Sequence, residues 1–162
     1  ALAAAGRGCD VTWVHWAVAG VFLLVGGVLI LRVWLSRLRQ AAIRDADEEL
    51  LGEREILREA SANLVGVRSR GVGAVRGNGV LTLTPQRLHF VMWLPRRSFS
   101  IPLRHIRNLT TTDGFMGRTR FRPMLQVDFV DERGEEDAAA WLVADVDCWL
   151  GAIDDTARGS IS

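Results

Sequence analysis

From Val11 to Leu31 the chain reads VTWVHWAVAGVFLLVGGVLIL, 21 residues without a formal charge. At about 1.5 Å per residue, a helix of that length covers the ~30 Å hydrocarbon core of a bilayer. Its apolar residues occupy the whole circumference, whereas a core helix of a soluble domain keeps a polar side. A cleaved signal peptide needs a shorter apolar run, a basic stretch before it and a small-residue cleavage site after it. The run here departs from that pattern, and a transmembrane helix over 11–31 is expected. The following residues, LRVWLSRLRQAAIRDADEELL, contain no Gly or Pro and place Leu35, Leu38, Ala42 and Ala46 on one rough helical stripe. A juxtamembrane helix over 32–52 is expected, ending at Gly52, with its charges in solvent.

After Glu53 the period changes from helical to alternating. Ile56 to Leu64 forms a first strand-like run. Val80–Thr84 and Arg87–Trp93 form a hairpin about Thr84-Pro85-Gln86, where proline pre-sets φ for the turn. Leu81, Leu83, Leu88 and Phe90 are expected to point inward. Phe99, Ile101 and Leu103 share a face; Ile106–Thr112 is β-branched; Leu125, Val127 and Phe129 alternate with polar neighbours; Ala138–Val143 closes the series. In ADVDCWLGAIDD, Val146, Trp149, Leu150 and Ile153 recur at helical spacing behind Asp145, a candidate N-cap. About seven antiparallel strands and one closing helix predict a mainly β (α+β) domain, a small barrel or sandwich plugged at one end.

Charge sets the direction of the span. Arg32, Arg37, Arg39 and Arg44 crowd its C-terminal flank, while Arg7 stands alone before it. Positive flanks stay cytoplasmic, so a short extracytoplasmic head (1–10) and a cytoplasmic C-terminal domain are expected. Trp13 and Trp16 at one boundary and Trp34 at the other, with Arg32, Arg37 and Arg39, suit the membrane interfaces. All 20 cationic side chains are arginine, as a GC-rich bacterial genome would give, and the expected location is a bacterial inner membrane. The net charge of +1 offers nucleic acid no electrostatic footprint.

The segments GEREILREASANL, GNGVLTLTPQRLHFV, FSIPLRHIRNL, MLQVDFVD and DCWLGAI together resemble a GRAM domain of the pleckstrin-homology superfamily. The matching positions are Gly79, Leu81, Leu83, Thr84, Arg87, Leu88 and Phe90, then Ile101, Pro102, Leu103 and Ile106, then Trp149 in the closing helix. The resemblance covers 53–157, leaves a tail of 158–162, and implies a pleckstrin-like fold. It also implies a basic loop between the first two strands that can meet phosphoinositide headgroups. Here that loop, VGVRSRGVGAVRGNG, carries Arg68, Arg70 and Arg76 in place of the family's lysines.

A second loop, DGFMGRTRFRP, offers Phe115 and Met116 at its tip with Arg118, Arg120 and Arg122 behind, and Arg96 and Arg97 add charge in another turn. An apolar tip with arginine shoulders suits an anionic membrane surface or an acidic protein partner; a solvated loop would look the same. Within the span, Ala19/Gly26 and Gly20/Gly27 repeat at seven residues and would let a second helix approach, although glycine is common in membrane helices. His15, the one ionisable group there, either reaches headgroups and water or ligates haem or a chlorophyll-type pigment.

Catalysis finds little support. GVGAVRGNG places Arg76 where a dinucleotide fingerprint needs its last glycine, and no Gly-Lys-Ser/Thr occurs. His89 is expected on an outward strand face and His105 in a turn, with no Ser/His/Asp or metal cluster in view. The acidic run Asp131 to Asp137 lacks calcium-loop spacing, and Cys9 and Cys148 lie on opposite sides of the span. The expectation is a non-catalytic, cofactor-free accessory or scaffolding subunit that contacts an integral membrane protein complex. The layout is similar, in topology alone, to the H subunit of bacterial photosynthetic reaction centres, which implies an energy-transducing complex of photosynthetic or respiratory type. An anionic-lipid-responsive regulator is the alternative.

Overall fold

The computed structural model describes residues 12–70 and 76–159, without the side chains of 12–15, 17, 70 and 118–121. Cys9 and the side chains of Trp13, His15, Arg70, Arg118 and Arg120 therefore lie outside the described residues. Two compact units appear, 1–37 and 38–162.

The described part of the first unit, residues 12–37, is apolar helix. Helix α1 runs Thr12–Glu49. Trp16, Phe22, Leu23, Leu24 and Ile30 on it are exposed, as are Arg32, Trp34 and Arg37. The helix is long and apolar enough to cross a membrane, and its apolar window is uncovered. Length and composition fit a membrane span and an N-terminal signal sequence alike. Ala19, Gly20 and Gly27 are exposed and Gly26 partly so, with open space where each glycine would carry a Cβ.

The second unit is a single seven-stranded antiparallel sheet in the order β4-β3-β2-β1-β7-β6-β5. Its strands are β1 Leu57–Val67, β2 Gly77–Leu83, β3 Arg87–Met92, β4 Arg97–Pro102, β5 Ile106–Phe115, β6 Arg118–Val130 and β7 Glu136–Leu142. Helix α2, Val146–Gly159, follows. Strand β1 joins the two halves, pairing with β2 along its first part and β7 along its last. Register shifts at Glu59/Ala62 and Leu64/Gly66 bend it between them. Seven antiparallel strands closed by a C-terminal helix make the mainly β architecture that the alternation predicts.

The inward alternation is as the pattern predicted. Leu81, Leu83, Leu88, Phe90, Ile101 and Leu103 meet Trp141 in the main core, and α2 closes it with Val146, Trp149 and Ile153. The Trp141 indole stacks on Phe99 at 5.9 Å and meets Phe90 edge-on at 6.2 Å. Asp145 caps α2 through Cys148 N–H at 3.0 Å, as its residue type suggested. The Glu59 carboxylate accepts from Ala144 N–H and from Trp149 Nε1–H, which ties the helix start to β1. In the β2–β3 turn, Thr84 Oγ1 accepts from the backbone N–H of Arg87.

Two apolar patches on the outer side of the sheet are covered by the chain itself. Val65, Met124, Ala138 and Ala140 form one, and Phe115 and Met116 close over it. This corrects the expectation of an exposed apolar tip. Phe115 is buried and Met116 half-buried, because the long β5–β6 ribbon brings its own turn onto apolar strand faces. Met116 and Gly117, with φ of 52° and 72°, form its two-residue turn.

Val80 and Val91 form the other patch, and Ala42 and Ala46 of α1 pack on it with Ile43 and Trp93 at the margin. The second unit therefore starts at Leu38, upstream of the expected boundary at Glu53. Methyl-sized side chains at 42 and 46 let the helix backbone lie close to the strands.

Candidate functional site

The end of α1 and strands β3 and β4 enclose a polar seam. His89, outward-facing on β3 as expected, is nevertheless 1 % exposed because α1 lies over it. Its Nδ1 is 2.7 Å from Ser100 Oγ and its Nε2 is 3.1 Å from Glu49 Oε2, the latter without hydrogen-bond alignment. Glu49 Oε1 accepts from Ser98 Oγ at 2.9 Å. Arg87 donates to the Glu49 carbonyl and to Glu53. Asp45 faces Arg96 at 3.6 Å, and Asp47 pairs with Arg58 at 2.7 Å. The acidic half of the juxtamembrane helix, expected to be solvated without specific partners, is thus a docking surface. Its partners lie 11 to 51 residues downstream, beyond the reach of a local pattern.

Burial pushes the His89 imidazole below its ordinary value, while the Glu49 carboxylate opposes the shift. At Glu53 burial pushes upward, but the hydrogen bonds from Thr84 and Arg87, with the Arg87 charge, leave its carboxyl below the usual value. Ser100, His89 and Glu49 form a serine–histidine–carboxylate line absent from the sequence reading, on the outer face of β4, opposite Ile101 and Leu103. What this arrangement does on the evidence of its contacts is hold a helix to a sheet.

The arginine loops divide. Arg68 opens a 3-10 turn, Arg68–Arg70, and its guanidinium is 3.7 Å from Asp128. Ser69 donates through its N–H and hydroxyl to buried Asp137 at 2.9 and 2.5 Å. The adjoining cleft is lined by Arg68, Arg107, Asp128, Phe129, Glu136 and Asp137. Carboxylates thus crowd the arginine expected to greet a headgroup, so an anion there has to compete with Asp128. Arg76 is exposed just before β2, and Arg122 is exposed on β6.

A larger opening lies between the start of β5 and α2. This groove, about 510 Å³, has Leu103, Ile106, Leu109, Leu150 and Ile153 among its lining residues, with Arg107 and Asp154 as charged members. Strand β5 is a sheet edge, and Gly151 leaves open space on the α2 side. Leu150, on the apolar stripe of α2, is half-buried against the margin of the main core. Among the described residues no group of three or more His, Cys, Asp or Glu side chains could hold a metal ion.

No protein-family model matches this chain, and no curated protein matches it. Solved structures do. The C-terminal domain of an unknown protein from Leishmania infantum shares 18% identity at a TM-score of 0.54, over 74% of this chain and 97% of that one. A chain of the 8S snRNP assembly intermediate shares 12% identity at 0.51, over 64% and 82%. The Vps36 N-terminal PH domain shares 21% identity at 0.49, over 68% and 83%. At such identities a likeness concerns the fold alone, and the chain is an apolar helix followed by a domain of seven antiparallel strands and a C-terminal helix.

Proposed function

We propose that this protein is a non-catalytic, single-pass accessory subunit of a bacterial inner membrane. Its N-terminus lies outside, and its GRAM-type domain holds a larger integral membrane complex, of photosynthetic or respiratory type, at the cytoplasmic face. The observation that carries this reading is the groove between β5 and α2. Elsewhere the apolar outer patches of the sheet are covered by α1 and by the β5–β6 turn. The groove instead offers an apolar floor beside a sheet edge, a combination that suits a polypeptide partner. The carboxylates around Arg68 favour a protein partner over specific headgroup recognition. The small-residue stripe of the span supplies a second contact within the membrane.

The test is the native mass of the protein extracted from its own membranes in mild detergent, with co-migrating chains identified. Migration within a large defined assembly is expected. Migration alone, or as a small homo-oligomer, would refute the reading.

A further inference from the structure

Beyond the body of the sheet, β5 and β6 continue as a two-stranded ribbon. Strand β6 pairs with β7 from Leu125 to Val130, whereas β5 and β6 stay paired as far as Phe115 and Arg118. Residues 112–115 and 118–124 therefore have only each other as ladder partners, and a register shift between Thr112 and Gly114 lies within that extension. Two strands alone are marginal in water, so the position of the ribbon end depends on what its side chains touch.

The turn makes that contact. Phe115 and Met116 close over Val65, Met124, Ala138 and Ala140, with Leu142 at the margin. The Met116 thioether rests against the backbone of Gly66 in β1: a Cβ added there would stand 3.2 Å from Met116 Sδ and 3.7 Å from the Phe115 ring. Met116 itself has φ of 52°, a left-handed conformation that residues with a side chain seldom adopt. The turn is strained locally, and the seat of this side chain helps to hold it. Every neighbour in the cluster is apolar, so none of their side chains can donate a hydrogen bond to a polar group placed among them.

The chain has three methionines. Met92 and Met124 are 1% and 0% exposed, while Met116 is half-buried and open to solvent on one side. A water-borne oxidant therefore reaches Met116 first.

We propose that Met116 is an oxidation site through which a peroxide uncovers this apolar patch. Hydrogen peroxide transfers one oxygen atom to Sδ. The S–O bond forms as the O–O bond breaks, the thioether is oxidised to the sulfoxide, and the peroxide is reduced to water, its second proton moving to the departing oxygen. The polar S=O group cannot keep the seat, because Gly66 closes one side and the apolar neighbours offer it no donor. The ribbon end lifts at the Thr112/Gly114 shift and bares Phe115, Val65 and Met124. A thiol-dependent sulfoxide reductase restores the thioether, so the exposure is reversible. The site is separate from the groove between β5 and α2 and does not rest on the reading of that groove.

The experiment uses the full chain with Cys9→Ser and Cys148→Ser, purified in mild detergent and treated with hydrogen peroxide. Peptide mapping by mass spectrometry follows the sulfoxide at each methionine, and limited tryptic cleavage after Arg118 and Arg120 reports release of the ribbon end. Sulfoxide is expected at Met116 before Met92 or Met124. Cleavage should then rise roughly tenfold, the ratio that corresponds to one buried polar group left unpaired. Sulfoxide reductase with a thiol should return cleavage to its starting rate, and Met116→Leu, which keeps an apolar side chain on the seat, should show no rise. Should the leucine variant melt below the parent, the reductase reversal, made on the unsubstituted position, decides. Sulfoxide at Met116 without faster cleavage overturns its control of the cover. Oxidation of Met92 or Met124 as fast as Met116, or a rise that persists in Met116→Leu, overturns the assignment to this residue.

Discussion

Glu49 of α1 and His89 of β3, forty residues apart, meet with Oε2 and Nε2 at 3.1 Å over an imidazole that α1 shuts away from solvent. Burial there depresses the imidazole's pKa against the pull of Glu49, so the folded domain holds His89 neutral more firmly than the unfolded chain does. Stability tied to His89 is therefore complete above the unfolded value and falls as the pH drops from about 6.5 towards the folded one. Glu53, with a lowered pKa, loses its contribution at lower pH still, as its carboxylate is protonated. Both effects have the same sign, and acid loosens the seam. The melting temperature of the full chain in detergent should fall between about pH 7 and pH 5, and His89→Gln should flatten that slope. An unchanged slope in the variant would reject the assignment.

Removing the opposing carboxylate isolates its part. In Glu49→Gln, the imidazole loses the influence that raises its pKa, and its NMR titration should move further down. A His89 that titrates at or above its ordinary value in the native chain contradicts the enclosed geometry.

At Gly79 an added Cβ would stand 2.3 Å from the Val91 carbonyl oxygen and 2.5 Å from the Phe90 ring. The first contact is backbone, which no rotamer change relieves. Gly79→Ala should destabilise the domain by about 3 kcal/mol, the upper end for overpacking, and a denaturant melt would detect it. A variant as stable as the parent would mean that β2 and β3 lie further apart.

Ala46 is fully buried against the strands, so a larger side chain there has to lift the helix. Ala46→Leu should cost about 1–3 kcal/mol and speed proteolysis around Leu51 and Gly52, which are exposed. Cleavage at the parental rate would show that the seam tolerates the extra volume.

Gly151 faces open space, and its φ is not in the left-handed region. Gly151→Trp fills the groove without strain, and in a helix tryptophan is favoured over glycine by roughly 0.5 kcal/mol. The variant should melt no lower than the parent yet drop out of the proposed assembly on native separation. Retention of the partner would show that the groove is not where it binds.

The sheet and its closing helix were legible because each rests on local alternation: Leu81, Leu83, Leu88 and Phe90 announce β2 and β3, and Asp145 announces α2. The outer coverings were not. A Phe-Met-Gly turn has the same local pattern whether it meets water or, as here, Val65 and Met124. Ala42 and Ala46 likewise carry no periodic signal strong enough to separate docking from exposure. Burial of His89 depends on a helix forty residues earlier, which alternation along β3 cannot report. Half-exposure of Leu150 follows from the gap beside β5, a property of the assembled edge and not of the α2 sequence.

The first helix does not end where the folded domain begins; its last turns are part of the fold. Cutting the chain after Gly52 would strip the cover from Val80, Val91 and His89 and leave Arg87 without the Glu49 carbonyl. A fragment starting there should be sticky and short-lived, whereas one starting at Leu38 keeps a finished surface. Any protease that releases this domain intact from the apolar helix therefore has to cut upstream of residue 38, close to the apolar run itself.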